Sequence, residues 1–239
     1  MNYLTGFHAM EEWIKAGKPV IALLVAKPGP RSRELVELAR SRKLRIDRVG
    51  THDLDSIASE HRGVVLQIEG GGAESETSVE NFLEGLGERK NVLVLLLDEI
   101  TDPHNYGAIL RSADQFGVDL VISRNRRSAK HAEVIAKTSA GAAAWVPQAE
   151  TANLVRAAGQ LKERGFWIYG ADMEGESVYK LDLRGRVGLI LGSEGAGLSR
   201  LIREQCDGFA ALPSFGRLDS LNVSVAAGAL LYEVRRQWG

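Results

Sequence analysis

The sequence predicts an α/β fold built around a parallel sheet, on three observations. Short runs such as Val92–Leu97 are continuously apolar, the pattern of strands buried on both faces rather than half-exposed. Segments with apolar residues at helical spacing lie between those runs. Polar, glycine- or proline-containing turns follow several of them, and open parallel sheets bind ligands beyond the carboxyl ends of their strands.

Taken in order, Val20–Val25 reads as a buried strand, and Ser32 is placed to cap a helix carrying Leu35, Val36, Leu38 and Ala39. Leu44–Val49 is a second strand, Asp53–Ser59 a short helix and Gly63–Ile68 a third strand. Together they predict a small α/β sandwich over 1–72. Glu69-Gly70-Gly71-Gly72 and the small polar stretch Ala73 to Thr77 mark a flexible boundary. Residues 73–90 are therefore expected to be a linker leading through a helix, with the first domain mobile on it. Over 91–239 the strands are expected at Val92–Leu97, Val118–Ile122, Ala144–Val146, Phe166–Tyr169, Val187–Leu191 and Phe209–Leu212. Leu154–Leu161 and Leu221–Val234 are the clearest helical patterns.

Composition narrows the function classes. The chain has 239 residues, 30 Lys+Arg against 31 Asp+Glu, and a formal net charge of −1. A single cysteine, Cys206, excludes an intrachain disulfide and a multi-cysteine zinc site, and suits a reducing, cytoplasmic setting. No apolar run is long enough to span a membrane, and the first residues lack a signal-peptide pattern. The balanced charge argues against a protein that coats nucleic acid without regard to sequence. The distribution is less even than the sum. Residues 20–50 hold 8 basic residues (Lys27, Arg31, Arg33, Arg40, Arg42, Lys43, Arg45, Arg48) and 3 acidic, whereas 73–97 hold 2 basic and 5 acidic. The basic stretch could track phosphates or be an ordinary solvated helix face, as could Arg124, Arg126, Arg127 and Lys130.

Three segments carry candidate chemistry. In the first, Asp98 to Asp114, Asp102-Pro103 makes a turn that leaves Asn105 at or near a helix N-terminus. Tyr106, Ile109, Leu110 and Ala113 form the apolar stripe of that helix, and Arg111 falls off it. In the second, Leu191-Gly192-Ser193-Glu194-Gly195-Ala196-Gly197 is a strand running into a glycine loop. It is neither a dinucleotide fingerprint nor a P-loop, and its glutamate would repel a pyrophosphate while suiting a cationic or hydroxyl-bearing ligand. In the third, Leu212-Pro213 ends a strand, and Ser220 or Asn222 opens the last helix, whose Ala226-Ala227-Gly228-Ala229 face suits close packing or a subunit interface. The histidines lack metal-ligand spacing, so no metal is expected.

The three segments together resemble the signature motifs of the SpoU/TrmH family of RNA ribose 2′-O-methyltransferases. Asn105-x-Gly107-x-x-x-Arg111, Leu191-Gly192-x-Glu194-x-x-Gly197-Leu198, and Leu212-Pro213 with Ser220-Leu221-Asn222-Val223-Ser224-Val225-Ala226 occur in the family's order. The match covers roughly 91–237, and Gly6-Phe7-His8-Ala9 and His61-Arg62-Gly63 are weaker markers of the family's small L30e-like substrate-binding domain. The layout is closest to the group acting on guanosine of 23S rRNA.

The resemblance implies a C-terminal SPOUT-type domain with a deep trefoil knot, S-adenosylmethionine bound in the knot, and a cytoplasmic homodimer whose active site draws on both subunits. It implies that Gly192, Leu212 and Leu221, with Leu191, Gly197 and Ser224, hold the cofactor. It implies that Asn105, Glu194, Ser220 and Asn222 orient the reacting groups, and that Arg111 is the general base. A guanidinium is ordinarily always protonated, so a clamp on phosphate and forming alkoxide is the alternative role for Arg111. A tRNA substrate and a non-catalytic RNA-binding role on the same fold are the competing readings.

Overall fold

Two sheets organise the chain in this computed structural model, which describes residues 2–15, 17–27, 29–57, 61–68, 76–124, 129–217 and 220–239. The first contains β1 (Asn2–Leu4), β2 (Val20–Val25), β3 (Ile46–Arg48) and β4 (Val64–Ile68) in the order β1-β4-β2-β3, with α1 (Phe7–Lys15), α2 (Pro30–Ser41) and α3 (Thr51–Asp55). β4 runs antiparallel to β1 and β2, and β3 parallel to β2. Alternation along β2 explains its continuous apolarity. Leu23 and Val25 join Met10, Trp13, Leu35 and Leu66 in one core, while Ala22 and Leu24 pack with Leu54 and Val65 on the other face.

Ser32 lies inside α2, its hydroxyl bonded back to the carbonyl of Gly29, and Gly29 occupies the cap position with Pro30 opening the helix. The α3 helix starts at Thr51, before Asp53, and residues 58–60 fall outside those described. β1 and α1 escaped the sequence reading altogether.

The second sheet has seven strands, all parallel: β5 (Glu76–Thr77), β6 (Val92–Leu97), β7 (Leu120–Arg124), β8 (Gln148–Thr151), β9 (Trp167–Ser177), β10 (Arg186–Leu191) and β11 (Gly208–Ala211). Their order is β11-β9-β10-β6-β7-β8-β5. The helices are α4 (Val79–Glu84), α5 (Pro103–Gln115), α6 (Ala129–Thr138), α7 (Leu154–Glu163), α8 (Arg200–Arg203) and α9 (Val223–Trp238). Every residue of β6 is at most 1% exposed. Leu93, Leu95 and Leu97 face the α5–α9 layer, and Val92, Val94 and Leu96 face the α4–α7 layer. The sheet is thus covered on both faces, as its apolar strands require.

The expected strand Ala144–Val146 does not form. Ala142–Ala144 is a 3-10 turn and the strand begins at Gln148. Three alanines offer little side chain to a strand face, and Gly141, at φ 95°, turns the chain there. This turn touches α1. A Cβ on Gly141 would lie 2.4 Å from the Cβ of Ala9, so only glycine allows the approach. The Trp13 and Trp145 rings sit 6.3 Å apart, and Lys18 Nζ lies 4.8 Å from the Trp13 ring centre. Trp145 Nε1 donates to Asp114 Oδ1 at 2.6 Å, tying the contact to α5. No helix among the described residues is long and apolar enough to cross a membrane.

Cys206 is half-buried beneath β9, its Sγ donating to the Ile202 carbonyl at 3.5 Å. Burial pushes its thiol up to about 11. The thiolate is the nucleophile, so at pH 7.5 alkylation by iodoacetamide should be roughly 10²-fold slower than for a free cysteine of pKa about 8.5. Labelling at the free-cysteine rate would contradict this burial.

Candidate active site

The carboxyl ends of β6 and β10 bring together residues far apart in sequence. Asp102 caps α5, its carboxylate accepting from the backbone N–H groups of His104 and Asn105, with Pro103 at the first helical position. The cap is therefore Asp102 and not Asn105, which leaves the Asn105 amide free to reach outward. Its Nδ2 donates to Glu194 Oε1 at 3.1 Å.

Glu194 stands in the glycine loop after β10. Ser193 N–H donates to the Gly197 carbonyl at 3.1 Å, and Gly197 N–H returns a bond to the Ser193 carbonyl at 2.9 Å. The loop closes so tightly that a Cβ on Gly192 would lie 2.3 Å from the Gly197 carbonyl carbon and oxygen. Gly195 and Gly197 take φ of 87° and 68°, a region costly for other residues. The first helix after the loop begins at Arg200.

Asn222 completes a trio. Its Nδ2 donates to Glu194 Oε1 at 2.6 Å and to Asn105 Oδ1 at 2.9 Å. Its Oδ1 caps α9, accepting from the Ser224 N–H at 2.9 Å and the Ser224 hydroxyl at 2.6 Å. Val223 N–H also donates to Glu194 Oε1, at 3.3 Å. One carboxylate oxygen is thus held by three donors, which fixes the side chain, while Oε2 hydrogen-bonds to none of the described residues. A held carboxylate with one open oxygen can accept a hydroxyl or a cationic donor.

The remaining expected residues fall in two groups. Leu191 ends β10, Gly192 and Gly197 belong to the loop after it, Leu212 follows β11 at the sheet edge, and Leu221 and Ser224 flank the start of α9. Leu221 is 54% exposed and Phe215, on the loop after β11, 97% exposed. Ser220 is exposed beside them, and Leu218 and Asp219 lie outside the described residues. Arg111 does not join the trio. It is exposed and lies six residues beyond Asn105 on α5, about 9 Å down the helix axis and roughly 120° around it.

Sequence reasoning missed Asp98. It follows β6, is 1% exposed, and accepts the Ser199 N–H on Oδ2 at 2.8 Å. Its Oδ1 is buried with no partner among the described residues, an open acceptor beside the glycine loop. Its signal was available: a charged residue directly after an all-apolar strand.

An α/β protein of two sheets with a glycine loop and an Asn–Glu–Asn trio at the strand ends has clear relatives. The model of the SpoU rRNA Methylase family matches residues 92–232, and that for RNA 2′-O ribose methyltransferase substrate binding matches 3–70. The chain belongs to the SpoU rRNA methylase family. It is 40% identical over 238 residues to the 23S rRNA (guanosine-2′-O-)-methyltransferase RlmB of Neisseria meningitidis, covering 97% of this chain and 94% of the relative. An uncharacterized tRNA/rRNA methyltransferase of Borreliella burgdorferi is 40% identical over 218 residues, 88% of this chain and 96% of that one. The solved SpoU methyltransferase AviRb from Streptomyces viridochromogenes, in complex with the cofactor AdoMet, aligns with a TM-score of 0.73 at 25% identity, over 99% of this chain and 89% of its own.

Proposed function

We propose that the chain is an S-adenosylmethionine-dependent RNA methyltransferase that modifies the ribose 2′-hydroxyl of a guanosine in 23S rRNA. The observation that carries this reading is the trio of Asn105, Glu194 and Asn222, locked at the strand ends with Glu194 Oε2 open. Family membership and the named relative supply the reaction class and the RNA.

The residues present fit the cofactor. Exposed apolar Leu221 and Phe215 stand beside the backbone-rich loops, and the orphaned Asp98 Oδ1 is suited to an ammonium or ribose hydroxyl. Leu191, Gly192, Gly197, Leu212 and Leu221, with Ser224, would hold it. S-adenosylmethionine supplies an electrophilic methyl group on a sulfonium. Glu194 Oε2 then accepts from the ribose hydroxyl and aligns its oxygen for in-line attack. Ser220 and Asn105 orient the same group. Arg111 stabilises the oxygen as it loses its proton, and Glu194 Oε2, which already accepts from that hydroxyl, takes the proton.

Because Arg111 sits apart from the trio of its own chain, the reading requires a homodimer in which one copy's Arg111 meets the other's trio. Val225 and Tyr232, seven residues apart on α9 and 55% and 59% exposed, offer an apolar face for that dimer. The path from β11 at the sheet edge back to α9, which packs on α5 beside the central strands, fits a trefoil knot passing beneath the glycine loop. Residues 1–72 are read as an L30e-like RNA-binding domain, 73–90 as connector with helix, and 91–239 as the methyltransferase domain. Arg31, Arg33, Arg42, Lys43 and Arg48 are exposed and would track phosphates, whereas Arg40 and Arg45 are paired with Glu37 and Asp47. Arg126 and Arg127 lie outside the described residues. A cytoplasmic setting follows from the substrate.

Methyl-labelled S-adenosylmethionine, incubated with the protein and RNA from cells lacking the gene, tests the reading. Label is expected in large-subunit rRNA. Label confined to tRNA would reassign the substrate, and no label in any RNA would reduce the protein to a binding role.

A further inference from the structure

Across the Glu194 loop from β11, a cavity of about 770 Å³ opens over the ends of β6, β7 and β8. That size is ample for a nucleoside. Ser193, next to Glu194, forms part of its wall, so the cavity adjoins the trio. Ile100, Pro103 and Ile135 give it an apolar slot, and Glu99 and Arg124 supply charge. Glu99 holds φ of 60° although it is not glycine. A non-glycine residue kept in that region marks a position fixed by something other than local preference. Arg124 Nη1 lies 3.4 Å from Glu99 Oε1, and both side chains are about half exposed, so the pair is weak and can open to a ligand.

We propose that this cavity seats the target guanine and that Glu99 and Arg124 read its Watson–Crick edge. This rests on the methyltransferase reading above. The trio then stands between a methyl-donor side over β9, β10 and β11 and a base side over β6, β7 and β8. Enzymes that work on one nucleotide commonly take its base out of the stack and read that edge in a pocket. Guanine presents N1–H and the 2-amino group as adjacent donors, which one carboxylate can accept together, and O6 as an acceptor for a guanidinium. Adenine presents a donor and an acceptor in the opposite sense and leaves the carboxylate unpaired.

The test uses the full-length protein and a 23S rRNA transcript whose methylated nucleotide is guanosine or inosine, which lacks the 2-amino group. The wild-type protein is expected to prefer guanosine by about 10-fold or more in kcat/KM. Glu99→Gln should narrow the preference toward equality, losing more rate on guanosine, which forfeits its second donor contact, than on inosine, which offers only N1–H, with S-adenosylmethionine affinity unchanged. Arg124→Met should weaken both, since both carry O6. Wild-type turnover indifferent to the substitution, or a Glu99→Gln protein that keeps the full preference, would overturn the base pocket and leave the methyltransferase reading intact. A wild-type protein that binds S-adenosylmethionine and methylates neither transcript would overturn both.

Discussion

Arg111→Ala should abolish methyl transfer while S-adenosylmethionine binds as before. The arginine lies outside the Asn105–Glu194–Asn222 cluster and the glycine loop proposed to hold the cofactor, so its loss removes charge from the reacting oxygen and nothing from that cluster. Deleting one stabilising donor at a forming oxyanion typically costs about 10²- to 10³-fold in kcat, and a charged donor belongs at the upper end or beyond. Because one chain keeps Arg111 away from its own trio, the defect should be complementable. Mixed with Asn222→Ala, the two inactive proteins should regain activity through hybrid dimers that hold one intact site. Near-normal turnover by Arg111→Ala would remove Arg111 from the reaction, and absence of rescue despite subunit exchange would place each site within a single chain.

Gly192→Ala should be nearly as severe, for a different reason. The new methyl group would fall 2.3 Å from the carbonyl of Gly197 and 2.6 Å from the backbone nitrogen of Leu198. These are backbone atoms, unable to rotate aside, so the loop must open. Overpacking of this kind costs about 1–3 kcal/mol, and the opened loop would carry Glu194 away from Asn105 and Asn222. Calorimetric titration is expected to show cofactor binding lost, with thermal unfolding at a lower temperature. Wild-type affinity would mean that the loop closes differently from the bond pair between Ser193 and Gly197.

What the chain discloses as sequence depends on how local the governing interaction is. Val92–Leu97 was readable because a strand buried on both faces must be apolar throughout. The last helix was readable because Asn222 has an intrinsic cap preference and α9 follows it in unbroken helical spacing. The cap of α5 was harder. Asp102 and Asn105 are both good capping residues, and with Pro103 at the first helical turn the cap falls to Asp102. That choice matters for function, since it is what releases Asn105 toward Glu194. No strand forms at Ala144–Val146 because the turn there follows from contacts of Gly141 with Ala9 and Trp145 with Trp13, each 132 residues away in sequence. β1 has three residues and leaves little pattern to find, whereas Met10, Trp13 and Ile14 in α1 carry a helical signal that could have been read. The trio is the least local feature of all: Asn105 and Glu194 are 89 residues apart, and Asn222 lies 28 beyond. Motif resemblance could nominate those residues, but only folding places their side chains in contact.

Nucleoside analysis of the product tests methyl transfer to a guanosine ribose most directly. After incubation of the protein with S-adenosylmethionine and unmodified 23S rRNA, the RNA is digested to nucleosides and resolved by mass spectrometry. A single new species is expected, 2′-O-methylguanosine, with the added mass on the ribose fragment. A methyl group on the base fragment, or no new methylated nucleoside, would contradict it.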